Sequence, residues 1–319
     1  MEIISKPTQD EIKKAAKALK DGHLVAFPTE TVYGLGADAI NEKAVSRIYL
    51  AKGRPTDHPL IVHISSIKQL DKWAIDIPEY AIKLSSEFWP GPMTLILKRS
   101  SLAKDFITGG QENIGLRVPA NPIALVLITE FEKIGGSGIA APSANRFGAV
   151  SPTTAEAVEE ELGKFLSQEY SILNGGQCKV GIESTIIDCT EDSPKILRPG
   201  AITQEMIKKV LCVNKISKHS ESNVKSSGLL GSHYSPRAKV VLNAVAVPGE
   251  GLLAMDGIPT PTGVIRLDSP KNIEQYAKGL YQALRFGDQK GLERIVVITP
   301  VGDGIAEAVR DRIIKAAAG

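Results

Sequence analysis

Apolar and polar residues alternate along the chain in blocks that predict helices and strands in turn. The first block opens with the capping-box pattern Thr8-Gln9-Asp10-Glu11, and apolar residues follow at helical spacing up to Leu19. The short apolar run Leu24–Phe27 predicts a buried strand. Asn41 is expected to cap a second helix that runs to Ala51.

The same patterns predict a mixed first domain over residues 1–210. The expected strands are Leu60–Ile64, Thr94–Leu97, Gly115–Val118, Gly138–Ala141, Thr185–Asp188 and Ile196–Leu197. The expected helices are Pro78–Phe88, Pro122–Glu132, Thr153–Leu162 and a last one that Thr203 caps and that ends near Val210. This mixture is typical of an α/β or α+β domain.

The pattern changes after this domain. From Val213 to Ser227 the chain is polar and has no helical stripe, which predicts a linker. The linker leads into Gly228–Pro236, where His233 and Tyr234 are side chains that a solvated tether does not need. We therefore predict a linker over residues 211–236.

Strands and helices alternate again after the linker. The expected strands are Lys239–Leu242, Leu252–Met255, Val264–Leu267 and Ile295–Thr299, and the expected helices are Asn272–Arg285 and Ile305–Ala317. Because strands joined through helices usually run parallel, residues 237–319 are predicted to form a small Rossmann-like α/β domain with a largely parallel sheet.

The composition is that of an ordinary globular protein. A chain of 319 residues corresponds to two domains of roughly 150 residues each. Hydrophobic residues make up 43% and charged residues 23%, which argues against a disordered, fibrous or membrane protein. The net charge is only +2, whereas a protein that coats nucleic acid would be far more basic.

Several classes of protein lack support in the sequence. The longest uncharged runs, such as Val118–Thr129, have 12 residues, and a membrane span needs about 20. The polar start Met1–Pro7 is not a signal peptide, so we predict a soluble cytoplasmic protein. Cys178, Cys189 and Cys212 form no CxxC pair, which favours reduced structural thiols and no protein-bound metal. The P-loop and nucleophile-elbow motifs are also absent.

A glycine-rich stretch follows the first predicted strand. Gly34-x-Gly36-x-x-Ala39 imitates a dinucleotide fingerprint, but Pro28 and several polar residues separate it from the strand, and a new helix cap follows it. A plain glycine turn is one alternative. A polar active-site loop is favoured, because hydroxyl and carboxyl side chains cluster where the strand ends.

Charged residues near other predicted strand ends are further candidates. Lys52 and Arg54 could serve the dipole of the preceding helix, or they could bind a polyphosphate or carboxylate. Arg117 lies in an apolar strand and needs a partner, which could be Glu30, Glu183 or a ligand carboxylate. We interpret these residues as a site for a phosphorylated ligand and a carboxylate-bearing ligand.

Taken together and in order, these segments resemble the YrdC-type threonylcarbamoyl-AMP synthases. The segments that carry the resemblance are Pro28–Leu35, Lys52–Pro55, His58–Leu60, Trp89–Thr94, Arg117–Pro119, Ala141–Asn145, Ser151–Thr153 and Arg198–Gly200. Gly228–Pro236 and the domain after it resemble the longer, two-domain version of the family. The implied fold is α/β, with a YrdC-like twisted open sheet and a small Rossmann-like C-terminal domain.

The resemblance implies a nucleotidyltransferase that joins L-threonine, bicarbonate and ATP, with Mg²⁺, into threonylcarbamoyl-AMP and pyrophosphate. A tRNA threonylcarbamoyl transferase would then pass the product to an adenosine next to the anticodon, and weak contact with tRNA is an open expectation. A module that binds RNA without catalysis is the alternative, and Lys52, Arg54, Lys98 and Arg99 would favour it.

The resemblance also implies roles for individual residues. Lys52 and Arg54 would be catalytic cations. The residues that would bind threonine are Thr31, His63, Arg117, Ala141 and Ser184. The residues that would bind ATP are Arg54, His58, Asn113, Ser143, Ser151, Arg198 and Tyr234, the last from a linker that folds over the nucleotide. Asn113 and Ser227 depart from the family pattern, where a threonine and a proline are expected.

Overall fold

The elements largely follow the caps and apolar runs of the sequence. The computed structural model describes residues 6–166, 170–218, 224, 228, 231 and 233–319. Its α-helices are α1 (Gln9–Lys20), α2 (Glu42–Lys52), α3 (Leu70–Trp73), α4 (Glu79–Phe88), α5 (Asp105–Thr108), α6 (Pro122–Lys133), α7 (Ala155–Leu162), α8 (Gln204–Leu211), α9 (Ile273–Gln289) and α10 (Ile305–Ala317). The predicted caps Thr8, Asn41 and Thr203 each accept a backbone N–H bond from the first turn of their helix.

The strands form two separate sheets. They are β1 (Val25–Pro28), β2 (Tyr33–Asp38), β3 (Ile61–His63), β4 (Met93–Lys98), β5 (Asn113–Arg117), β6 (Ile139–Ala140), β7 (Thr185–Asp188), β8 (Lys195–Arg198), β9 (Ser217–Lys218), β10 (Lys239–Leu242), β11 (Gly251–Leu253), β12 (Ile265–Asp268) and β13 (Arg294–Val297). The first sheet is mixed, in the order β1-β2-β6-β3-β5-β4-β7-β8-β9. Its parallel pairs are β3 with β5, β4 with β7 and β8 with β9.

The two faces of the first sheet are covered differently. On one face, Val62 and Leu116 pack in a large apolar core with Ile48 of α2 and Leu84 of α4. On the other face, α1 and α6 cover only the part around β1 and β6. The rest of this second face carries the polar residues of the candidate site.

Strand β2 corrects the expectation for the glycine-rich stretch. Tyr33–Asp38 is not a loop but pairs antiparallel with β1, and the hairpin between them turns over Thr29–Val32. Glycine weakens a strand pattern, so the sequence favoured a loop. A Cβ at Gly36 would lie 2.8 Å from Ile139 Cγ2 and 2.9 Å from the Phe27 ring, so close packing requires glycine there.

The C-terminal sheet is wholly parallel, as predicted. Its order is β10-β13-β11-β12. Helices α9 and α10 pack on each other and on this sheet, with Leu280 and Val309 in their core. Val150 and Ile182 of the first part of the chain belong to the same apolar cluster, so the two parts share packed surface.

Some predictions fall on residues that the structure does not describe. Residues 1–5 of the polar N-terminus and much of the predicted linker, including Ser227, lie outside the described residues. The proposed domain boundaries at 210 and 236 stay predictions. In the described part of the chain, no helix combines the length and apolarity needed to cross a bilayer.

Candidate functional site

A cleft opens on the second face of the first sheet. Its lining comes from the β1–β2 hairpin, the end of α2 and the loop after it, β2, β3, β5, the loops after β6 and before β7, the end of β8 and three linker residues. The lining residues are Thr29, Thr31, Val32, Tyr33, Gly34, Lys52, Arg54, Ile61, His63, Arg117, Ala141, Pro142, Ser143, Glu183, Ser184, Arg198, Gly228, His233 and Tyr234.

Strand register brings the polar side chains together. His63 lies opposite Arg117 in the parallel pair β3–β5, and Ile186 lies opposite both Thr94 and Arg198. Residues that face each other across a sheet project on the same side. Because Ile96 of β4 lies opposite Gly115 of β5, Thr94 and Arg117 also project on the same side. These strands therefore place an imidazole, two guanidinium groups and a hydroxyl on one face.

Arg117 resolves the partner question that the sequence left open. Its Nη2 donates to Glu30 Oε1 at 2.6 Å, and its Nε donates to the Gly91 carbonyl at 3.3 Å. Both side chains of this ion pair are buried. A guanidinium has five N–H donors, so a bound carboxylate can use those that remain. Glu183, the other protein partner that the sequence suggested for Arg117, instead accepts hydrogen bonds from Ser151, Tyr281 and Arg312.

His63 lies beside Arg117 and is buried. Burial, and then the charge of Arg117, lowers the pKa of His63 to about 3, so its imidazole is neutral at physiological pH. Its Nδ1 has no hydrogen-bond partner among the described residues. Two hydroxyl pairs complete this end of the cleft: Thr29 with Thr31 and Thr94 with Ser184, each at 2.8 Å.

Lys52 ends α2 and turns into the cleft. Gly53 adopts a left-handed φ of 62°, which ends the helix. The Lys52 ammonium donates to the carbonyls of Ser143 at 2.7 Å and Asn145 at 2.5 Å rather than to the end of its own helix. Burial, and then the nearby Arg54, holds the pKa of Lys52 well below its ordinary value.

Arg54 forms the neighbouring wall, and His58 lies next to it. Arg54 donates to the His58 carbonyl at 3.3 Å and to the Pro59 carbonyl at 2.9 Å, and its guanidinium lies 5.6 Å from the Phe147 ring centroid. Burial lowers the pKa of Arg54 to about 10, so the group stays charged at neutral pH. The His58 ring packs edge-on against Phe147.

The far wall contains Arg198, Glu183 and the linker residues Gly228, His233 and Tyr234. Arg198 donates to the carbonyl and hydroxyl of Ser184 at 3.0 and 3.2 Å. Ser151 donates to Glu183 Oε1 at 2.6 Å. Tyr234 is buried, and its hydroxyl has no hydrogen-bond partner within the described chain.

Two protein-family models match this chain. The Sua5/YciO/YrdC family model, described as telomere recombination, matches residues 17–200. The chain belongs to this family. A second model, described as the threonylcarbamoyl-AMP synthase C-terminal domain, matches residues 202–318, so this family member has both domains of the longer form.

Full-length relatives agree with this assignment. The threonylcarbamoyl-AMP synthase of Pyrococcus abyssi is 41% identical, covering 96% of this chain and 94% of that protein. The threonylcarbamoyl-AMP synthase of Bacillus subtilis is 39% identical, with coverage of 97% and 93%. The crystal structure of P. abyssi Sua5 complexed with L-threonine has a TM-score of 0.88 at 39% identity and covers 98% of this chain and 96% of that one. These matches confirm the resemblance and the α/β fold.

The structure brings most of the predicted site residues of this family member together. Ten of the thirteen line the cleft: Thr31, Lys52, Arg54, His63, Arg117, Ala141, Ser143, Ser184, Arg198 and Tyr234. His58 and Ser151 are not in the lining: the His58 ring packs against Phe147, and the Ser151 hydroxyl donates to Glu183. Asn113 begins β5 and Arg117 ends it, so Asn113 lies at the strand end away from Arg117 and outside the lining.

Other lining residues escaped the sequence analysis. Ile61 and Gly34 lie inside strands, where apolar or glycine residues carry no chemical signal. Their positions become visible only through the alternation of strand faces, because Ile61 and His63 project on the same side. His233 did carry a signal, as an aromatic and titratable side chain in a predicted tether.

The lowered pKa of His63 predicts a pH-dependent stability. The unfolded chain takes up a proton near the ordinary value of 6.5, whereas the folded protein stays neutral there down to about pH 3. Since the unfolded state then binds more protons, this site lowers the free energy of unfolding by about 2 kcal/mol between pH 7 and pH 5. Urea titrations at pH 7 and pH 5 measure this change. The free energy of unfolding of His63→Gln should fall by about 2 kcal/mol less than that of the wild type. Equal losses in the two proteins would contradict this account.

Proposed function

We propose that this cleft joins L-threonine, bicarbonate and ATP into threonylcarbamoyl-AMP and pyrophosphate, the reaction of the family to which the chain belongs. One observation supports this assignment above others. Three guanidinium groups, those of Arg54, Arg117 and Arg198, line a single cleft together with the Lys52 amine, hydroxyl groups and a neutral imidazole. Such a set suits one carboxylate and one polyphosphate held side by side.

Threonine is proposed to lie at the Arg117 end. The carboxylate would accept from guanidinium donors that Glu30 does not use. Neutral His63, Thr31 and Ser184 offer hydrogen-bond partners for the amine and hydroxyl groups, and the Ala141 backbone lies in the same wall. A charged imidazole would repel the threonine ammonium, so burial of His63 suits this ligand.

ATP is proposed to lie along Lys52, Arg54, Ser143 and Arg198, with Tyr234 over it. The threonine ammonium gives one proton to bicarbonate, which then yields carbon dioxide and water. The free amine forms a bond to the carbon of carbon dioxide, and the proton that the nitrogen then loses goes to solvent, which leaves a carbamate. A carbamate oxygen then attacks the α-phosphorus, and the bond to the pyrophosphate oxygen breaks. Negative charge develops on phosphate oxygens, so positioned cations at these places lower the barrier.

Mg²⁺ is proposed to accompany the phosphates of ATP. The described residues contain no group of three His, Cys, Asp or Glu side chains that could hold a metal ion. The carboxylates nearest the cleft, Glu30 and Glu183, each bond to an arginine. No step of the reaction is therefore assigned to a protein-bound metal.

The product would pass to a tRNA threonylcarbamoyl transferase in the cytoplasm. The alternative, an RNA-binding module without catalysis, receives less support. Lys52 and Arg54 are buried in the cleft, and Arg99 bonds to Asp105 and Glu112. Such a module would bind tRNA without ATP, and its affinity would fall steeply as salt increases.

Pyrophosphate release tests the proposed reaction. The purified full-length protein is incubated with ATP, Mg²⁺ and bicarbonate, with L-threonine, with L-serine or with neither amino acid. We expect release that depends on threonine and bicarbonate, and a threonylcarbamoyl-AMP product by mass spectrometry. A folded protein that releases no pyrophosphate, yet binds tRNA with a steep salt dependence, would favour the alternative.

A further inference from the structure

Glu183 brings a negative charge to the wall of the cleft, close to where the phosphates of ATP are proposed to lie. Its side chain is only 8% exposed. A buried carboxylate beside a polyphosphate would repel it, so the charge of Glu183 must be balanced. Burial alone would raise the pKa of Glu183, but the charges of Arg312 and Arg198 and the bonds from Ser151 and Arg312 bring it down to about 2. The carboxylate is therefore ionised.

Two of the groups that bond to this carboxylate belong to the C-terminal part of the chain. Arg312 of α10 donates through Nε to Glu183 Oε2 at 2.9 Å, and the Tyr281 hydroxyl of α9 donates to the same oxygen at 2.7 Å. Arg312 is fully buried and also donates to the Pro199 carbonyl at 3.0 Å. Ser151, which donates to the other oxygen, comes from the first part of the chain.

The same two side chains hold Tyr234 of the linker. The Tyr281 ring stacks on the Tyr234 ring with centroids 5.6 Å apart, and the Arg312 guanidinium lies 5.4 Å from the Tyr234 ring centroid. Lys315, one turn further along α10, donates to the Gly228 carbonyl at 2.7 Å. Helices α9 and α10 thus contact both Gly228 and Tyr234, two linker residues that line the cleft.

Arg312 is an exception on its own helix. The other buried residues of α10 are apolar, namely Ala306, Ala308, Val309, Ile313 and Ala316. An arginine within such a stripe is unfavourable unless a partner neutralises it. Apart from the adjacent Asp311, the carboxylate that it meets is Glu183, which lies 129 residues away in the cleft wall.

We propose that Arg312 is a positioning residue through which the C-terminal domain enables nucleotide binding. It neutralises Glu183 beside the phosphates and holds the Tyr234 ring over the cleft. This inference rests on the proposed function, because it takes ATP as the ligand of this wall. It gives the C-terminal domain a direct part in forming the ATP site, beyond carrying the linker.

Nucleotide affinity, measured without turnover, tests this role. The wild type, Arg312→Met, Glu183→Gln and the double variant are titrated calorimetrically with a non-hydrolysable ATP analogue that has a methylene group between the α- and β-phosphates. Arg310→Met is the matched control, since Arg310 lies on the same helix and donates to the Pro300 carbonyl. Thermal unfolding of every variant reports whether the domain is intact.

We expect Arg312→Met to raise the Kd for the analogue at least tenfold. The double variant should regain an affinity within about threefold of Glu183→Gln, because the unpaired charge is then gone. Arg310→Met should bind like the wild type. An unchanged Kd in Arg312→Met would overturn the inference, and a loss that Glu183→Gln does not rescue would overturn the neutralisation of Glu183. A wild type that does not bind the analogue would instead contradict the proposed function.

Discussion

Replacing Arg117 is expected to abolish efficient use of threonine while ATP binding persists. Arg117→Ala should lower kcat/KM for L-threonine about 100-fold, because a charged hydrogen bond to the carboxylate contributes about 1.5–3 kcal/mol. The KM for ATP should change by less than about threefold. Pyrophosphate release measured against each substrate in turn separates the two effects.

The ion pair with Glu30 requires a second variant. Arg117→Ala leaves the buried Glu30 carboxylate with its bond from the Ala120 N–H but without its cation, which destabilises the fold. Arg117→Ala/Glu30→Gln removes that charge and should fold better, yet it should remain defective toward threonine. Glu30→Gln alone is the control and should keep most of the activity. A double variant with the threonine KM of the wild type would show that Arg117 serves only the fold.

Replacing Arg54 is expected to produce the opposite selectivity. Arg54→Ala should lower kcat/KM for ATP about 100-fold through the loss of a charge-assisted contact with phosphate, while the threonine KM stays within about threefold. Arg54→Lys keeps the charge but not the planar guanidinium, so its kcat/KM for ATP should lie between those of the wild type and Arg54→Ala. Initial rates over a range of ATP concentrations provide the measurement.

Arg47→Ala is the matched control for Arg54. Arg47 lies on α2 and donates to the Gly22 carbonyl, and it does not line the cleft. Arg54 also donates to two backbone carbonyls, so its replacement could destabilise the fold around the cleft. Thermal unfolding of each variant distinguishes such destabilisation from loss of a phosphate contact. Equal effects of Arg54→Ala on both substrates would refute the assignment of this wall to ATP.

The sequence alone determined most elements, because their signals are local. Helix caps such as Asn41 act within one turn, and the apolar pair Ile186-Ile187 of β7 can be recognised without knowledge of its neighbours. The family motifs are local as well, so the residue pattern was enough to identify the polar segments of the cleft and the threonylcarbamoyl-AMP synthase family. Strand β2 was not predicted, because Gly34 and Gly36 do not indicate a strand. Glycine is needed there for close packing against Phe27, Ile139 and Ala141.

Only the tertiary structure decided which charged groups meet. Arg117 had three candidate partners in the sequence, and the fold pairs it with Glu30, 87 residues away. Nothing local connects Arg312 with Glu183, since strand register, helix packing and the docking of two domains bring them together. A residue pattern reports the preferences of a short segment, whereas a buried charge is stabilised by whatever the topology places beside it. The role of the C-terminal domain at the cleft therefore became visible only in three dimensions.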